Sequence, residues 1–252
     1  MMRGADRGVS DTLGFVFIFA LVISTVGLTF TFGYSGLQDT RDFERLNNAE
    51  RAFDVMGDNF DDIVRRGAPS RATEVKVADA QLSLANVTTV NVTVTNTTGA
   101  TQNVRYDFQP VVYEAGNGRI VYSNGAVFRE DPGGAVVVRH SEFVLRQERV
   151  LLPVVNTRGT GGTESIGGTT TVLVRATSPD GQRQSFGFDV ARTEPQLAVM
   201  VNVTSPRPAV WERELGRYDD ADCGIDGNTV SCTVSNPERV YVQETLIGIS
   251  FE

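Results

Sequence analysis

Lysine is almost missing from this chain. Lys76 is the only one, and arginine supplies the rest of the 23 basic residues, set against 31 acids for a formal charge of −8. No basic run occurs, so the chain lacks the dense positive footprint that grips a phosphate backbone, and nucleic acid is excluded as a partner. Histidine occurs once, at His140, and cysteine twice. That inventory gives no H-E-x-x-H helix and no zinc-type cluster. Nor is there a G-x-S-x-G elbow, a P-loop lysine or a dinucleotide fingerprint. Among 31 acids no carboxylate pair stands out as a glycosidase site. The expectation is a protein that is not an enzyme, with no cofactor and no metal.

What the chain does have is one long apolar stretch. From residue 12 to residue 38 there is no charged side chain. Residues 13–33, LGFVFIFALVISTVGLTFTFG, would span roughly 30 Å as a helix at about 1.5 Å per residue, enough to cross a bilayer. Phe15, Phe17, Phe19, Leu21, Ile23 and Val26 fall on every side of that helix, which argues against a soluble core helix with one dry stripe. The run is longer than a secretory h-region, and no small-x-small cleavage site follows it. It is read as a retained transmembrane helix, 13–35, preceded by a leader, 1–12. Arg3 and Arg7 stand before the span and Asp39 is the first charge after it, which favours a cytoplasmic N-terminus and an extracellular remainder.

The junction Arg7-Gly8-Val9-Ser10-Asp11-Thr12-Leu13-Gly14 resembles the class III signal sequence of archaeal type IV pilins. The likeness lies within residues 1–35. It implies that a prepilin peptidase cuts between Gly8 and Val9 and leaves the apolar helix on the mature protein. It also implies homo- or hetero-pilin partners that associate through that helix. Asp11 stands where many haloarchaeal pilins carry proline, and Leu13 where bacterial pilins carry glutamate. The pairing of acids with arginine likewise resembles the proteins of salt-loving archaea. Carboxylate-rich surfaces stay hydrated there, and salt screens their mutual repulsion. The whole chain is similar to haloarchaeal membrane proteins with a pilin-like N-terminus.

Residues 36–67 read as an amphipathic continuation of the helix. Phe43, Leu46, Ala49, Phe53, Met56, Phe60 and Ile63 recur at three- and four-residue steps, with acids and arginines mostly between them. Gly67-Ala68-Pro69 ends the run. The stripe can pack on the chain's own head or form a seam with a partner, and in a pilin it can do both. Beyond residue 73 the period changes to alternation. Strands are predicted at 74–78, 87–95, 104–113, 119–122, 135–139, 142–145, 149–155, 170–177, 183–191, 197–203 and 241–251. Turn chemistry at Gly116-Asn117-Gly118, Asn124-Gly125, Asp131-Pro132-Gly133-Gly134 and Ser178-Pro179-Asp180-Gly181 punctuates them. The fold class expected is α+β: a long N-terminal transmembrane and amphipathic helix, then an all-β antiparallel sandwich head over 73–252.

The head offers few chemical motifs. The Gly-rich stretch 157–171 lacks a P-loop's lysine and following helix, and is read as a flexible surface loop. Cys223 and Cys232 sit nine apart around Gly224, Asp226, Gly227 and Asn228, a spacing that suits a disulfide across a hairpin outside the cell. Asp219, Asp220, Asp222 and Asp226 could present carboxylates to calcium, yet lack the EF-hand pattern, so a solvated acidic loop is the default reading. Asn86, Asn91, Asn96 and Asn202 head N-x-T sequons, and Asn96, near a strand end, is the most accessible candidate for N-glycosylation. His140 reads as a surface or satisfied residue. Gly14, Ala20, Gly27 and Gly33 offer places where helices could approach closely in a membrane.

The function expected is that of a cell-surface structural protein, a pilin-like subunit or pseudopilin, in the membrane or in a surface filament. The alternative is a permanently anchored, single-pass extracellular binding module that does not polymerise.

Overall fold

A computed structural model describes residues 6–96, 99–178, 183–188 and 198–252. The chain divides into two compact units, Met1–Glu44 and Arg45–Glu252. Helix α1, Asp6–Arg66, is 61 residues long. It makes up the described part of the first unit and opens the second. No proline interrupts it. It stops where Gly67 takes a φ of 70°, a conformation costly for residues with a Cβ. There the Gly67 N–H donates to Ile63 O and the Ala68 N–H to Asp62 O, both at 3.2 Å, so the final carbonyls are satisfied.

The strands are β1 (Ser70–Leu84), β2 (Thr88–Thr95), β3 (Thr101–Phe108), β4 (Val111–Ala115), β5 (Gly118–Ser123), β6 (Ala126–Asp131), β7 (Gly134–Arg139) and β8 (Val144–Leu145). There follow β9 (Val150–Gly159), β10 (Ser165–Thr177), β11 (Arg183–Phe188), β12 (Ala198–Thr204), helix α2 (Pro208–Leu215), β13 (Ala221–Asp226), β14 (Thr229–Ser235) and β15 (Val240–Phe251). A ten-stranded sheet A runs β7-β6-β5-β4-β1-β10-β15-β9-β8, with β11 beside β15. A five-stranded sheet B runs β13-β14-β12-β2-β3. The expected long helix followed by a β head is therefore what the chain forms.

Within the second unit the layers are helix, sheet A, sheet B. One core lies between the sheets and includes Val90, Val92, Val201, Val203, Phe128, Phe143, Leu152 and Trp211. The other lies between sheet A and the α1 segment, where Leu46, Ala49, Phe53, Met56, Phe60 and Ile63 meet Val75, Val77, Tyr113, Tyr122 and Ile247. Because sheet A is covered on both faces, its strands bury consecutive residues. Val121 enters the first core while Ile120 and Tyr122 enter the second. Sheet B has one dry face, and β2 alternates accordingly. Helix α2 bridges the layers, touching β7 of sheet A and β12, β13 and β14 of sheet B, with Trp211 fully buried edge-on to Phe128.

Several expectations need correction. The segment 104–113 is two strands in different sheets, because Gln109 and Pro110 turn the chain between β3 and β4. Of 142–145 only Val144–Leu145 is strand. The Gly-rich 157–171 is not one loop: β9 runs to Gly159 and β10 starts at Ser165, since β1 and β15 offer ladder partners on either side. Gly167 and Gly168 face β1 where its register shifts between Ala78 and Ala80, a bulge that a glycine in the partner strand accommodates. Finally, β9 and β15 pair in parallel, unlike the other described pairs. A parallel pair requires a long crossover, and the chain from β10 to β14 supplies one. The predicted turn at 178–181 and the ends of strands 183–191 and 197–203 fall partly outside the described residues.

Candidate functional site

The first unit is a bare apolar helix. Its large side chains, from Leu13 to Phe32, are exposed in every direction, Phe17 by 72%. Phe15 stacks on Phe19 and Phe30 on Tyr34 at i, i+4 spacing. Two polar side chains of this stretch turn to the backbone: Thr25 Oγ1 donates to Leu21 O at 2.8 Å, Thr31 Oγ1 to Gly27 O at 2.9 Å. A helix in hydrocarbon needs this, since lipid supplies no hydrogen-bond partners. A Cβ placed on Gly14, Gly27 or Gly33 would meet nothing, so each leaves a notch open on the surface. The described residues contain one helix long and apolar enough to cross a membrane, with a mean hydropathy of 2.4 in its most apolar window. Its length and composition are those of a single-pass membrane anchor. Gly8 and Val9 lie in its first turns, and their side chains fall outside those described.

In the second unit, α1 is fastened to the head by arginines as well as by its apolar stripe. Arg139 at the end of β7 reaches Asp54 (3.2 Å), Asp58 (2.8 Å) and Asp61 (2.7 Å). It crosses the helix at Gly57, where a Cβ would come within 3.0 Å of its side chain. Arg129 binds Asn47 (2.7 Å) and Glu50 (2.9 Å), and Arg71 binds Asp62 (3.1 Å). Burial pulls the Arg139 pKa down, but Asp58 and Asp61 outweigh it and hold the guanidinium above its ordinary value. Burial raises Asp61, against the lowering pull of Arg139.

Other residues singled out by sequence are scattered over the head. The Cys223 and Cys232 sulfurs lie 2.04 Å apart, at bonding distance, between directly opposed positions of β13 and β14. Asn86 is exposed in the loop after β1, whereas Asn96 is half-buried and its Oδ1 accepts the Ala100 N–H, so Asn86 is the more open of the two. Thr97 and Thr98 of the Asn96 sequon lie outside the described residues. Asn91 and Asn202 face each other across β2 and β12, half-buried in mid-strand. Asp222 and Asp226 belong to β13, not to a loop, and Asp220 Oδ2 accepts the Gln147 N–H at 3.1 Å. Among the described residues no group of three or more His, Cys, Asp or Glu side chains is placed to hold a metal ion.

His140 is 60% exposed on its side chain, and its Nδ1 lies 2.7 Å from Oε2 of Glu214, which is fully buried. The other carboxylate oxygen accepts the Ser141 N–H and Ser141 Oγ–H, each at 2.8 Å. Serine, histidine and acid thus meet, but the acid sits in the middle. A nucleophilic triad needs the base on the serine. Here the serine hydroxyl is spent on the carboxylate, and the trio ties α2 to the segment after β7. The sequence held no local signal for Glu214, which lies 74 residues from its histidine.

The head also carries a cleft of about 580 Å³ where α1 ends over sheet A. Asp61 and Arg65 of α1, Asn124 and Gly125 of the β5–β6 turn, Glu142, and residues of β9 and β15 line it.

The architecture is that of a membrane-anchored protein whose helix continues into a β-sandwich head. Residues 7–250 match the family described as "Family of unknown function (DUF7289)", and the chain belongs to that family. No curated protein and no solved structure matches it.

Proposed function

We propose that this chain is a non-enzymatic, pilin-like structural subunit of an archaeal cell surface adapted to high salt. The prepilin peptidase cleaves between Gly8 and Val9 on the cytoplasmic side, the apolar helix remains, and the β head stands outside the cell. Subunits then associate through the helix, in the membrane or in a filament core, by van der Waals packing that the notches at Gly14, Gly27 and Gly33 allow.

The observation that carries this reading is the division of labour along α1. The stripe from Leu46 to Ile63 is consumed by the chain's own head. The large apolar side chains from Leu13 to Leu37 stay exposed in a continuous belt, and nothing among the described residues of their own unit covers it. Two experiments test the reading together: N-terminal sequencing of the mature protein, and shearing of cells followed by fractionation. A new terminus at Val9 and recovery in sheared filaments are the expected results. A chain that keeps residues 1–8 and stays with the membrane overturns the proposal in favour of an anchored module that never polymerises.

A further inference from the structure

Helix α1 stops at Arg66, but the sheet face it covers continues. On β9 and β15 the odd-numbered residues share the face turned to the helix, as Val155, Ile247 and Ile249 do in the helix-side core. Past the helix end the same face carries Leu151, Pro153 and Tyr241 into the cleft, and Tyr241 is 42% exposed there. The floor is therefore largely apolar, with Gln243 next to an aromatic residue, Tyr241.

The walls are polar and balanced. Arg65 pairs with Glu142 at 2.5 Å, and Asp61 and Arg149 complete two acids and two bases. Asn124 sits at the base, 1% exposed. A φ of 49° holds it in the turn, and its Oδ1 accepts the Val155 N–H at 2.8 Å. Its Nδ2 has no partner among the described residues. A buried donor left unpaired is costly and marks a place where an acceptor is wanted.

These features select a ligand class. A net anion meets Asp61 and Glu142 and a net cation meets Arg65 and Arg149, while Asp61 and Glu142 already hold Arg139 and Arg65, so the balanced walls favour a neutral polar ligand over a charged or purely apolar one. The edge of β9 away from β15 is a poor ladder for an added strand: β8 takes only Val150 and Leu151, Pro153 has no N–H, and the Val155 N–H is held by Asn124 Oδ1. A volume of about 580 Å³ is that of a small-molecule site. We propose that the cleft binds a neutral saccharide. One face of the ring lies on Tyr241, and its hydroxyls, which both donate and accept, bridge the planar side chains of Asp61, Arg65, Glu142 and Asn124. This reading is independent of whether the chain polymerises.

The test uses the full chain in a detergent without a sugar headgroup, titrated with glucose, galactose, mannose, N-acetylglucosamine and, as the charged control, glucuronate. Saturable binding of at least one neutral sugar is expected, with a shift of the Asn124 side-chain amide resonance. Tyr241→Ala, a surface change that leaves the fold intact, is expected to weaken binding about tenfold or more. Glu142→Gln is expected to weaken it as well. No saturation by any neutral sugar at about 100 mM, far above the millimolar range, overturns the proposal. Binding of glucuronate alone, or sugar binding that Tyr241→Ala leaves unchanged, overturns it too.

Discussion

Arg139 is the side chain on which the helix–head junction most depends. It is 20% exposed and holds three aspartates of successive helix turns. Arg139→Ala is expected to cost about 1–3 kcal/mol, because Asp61 is left half-buried without its partner. Arg139→Lys is expected to recover less than half of that, since an ammonium cannot fork across three carboxylates. Urea melts of the wild type and both variants check the order. Tyr106 offers a different readout. It is 4% exposed, its hydroxyl has no partner among the described residues, and burial, with Glu244 adding to it, pushes its pKa up to about 12. The folded state therefore holds that proton more tightly than the unfolded chain. Stability contributed this way is present below the unfolded value near 10 and falls as pH rises from there to about 12. Tyr106→Phe is expected to flatten the stability–pH curve in that window and to change neutral-pH stability by less than about 1 kcal/mol. Melting temperatures measured between pH 7 and 12 decide it.

Among the elements, those with a long unbroken period could be read in the sequence. The i, i+3, i+4 stripe from Leu46 to Ile63 and the alternation of β2 are local patterns, and each matches the face it buries. Helix α2 escaped reading because its buried face, Val210, Trp211, Glu214 and Leu215, covers barely two turns, is interrupted by an acid and follows a proline. Strand β13 escaped for the opposite reason: as an edge strand it is acidic and mostly exposed, and it looks like a loop until β14 lies beside it. The cleft could not be read at all, since α1, the β5–β6 turn, β9 and β15 contribute its walls from distant stretches of chain. The stripe has a direct experimental consequence. A fragment beginning at Arg45 keeps the cover of sheet A and is expected to be monomeric, with a native near-ultraviolet circular dichroism spectrum. A fragment beginning at residue 73 leaves Val75, Val77, Tyr113, Tyr122 and Ile247 open to water and is expected to aggregate. Size-exclusion chromatography of the two separates the outcomes.

For the whole molecule, the charge of −8 and the arginine pairs respond differently to salt. At about 1 M salt the Debye length is near 3 Å, so repulsion among distant carboxylates fades while contact pairs such as Arg139 with Asp61 keep most of their strength. The order of the strands has a consequence for how the protein comes into being. β15, which follows every other described strand along the chain, lies inside sheet A between β9 on one side and β10 and β11 on the other. A ribosome delivers the apolar helix before the strands, and β15 after every other described strand. Until it arrives, β9 and β10 stand as open edges, and β9 with β8 is cut off from the rest of the sheet. Sheet A is therefore joined only once β15 has been made. A message truncated shortly before Val240 is expected to yield a chain whose sheet A is split between β10 and β9.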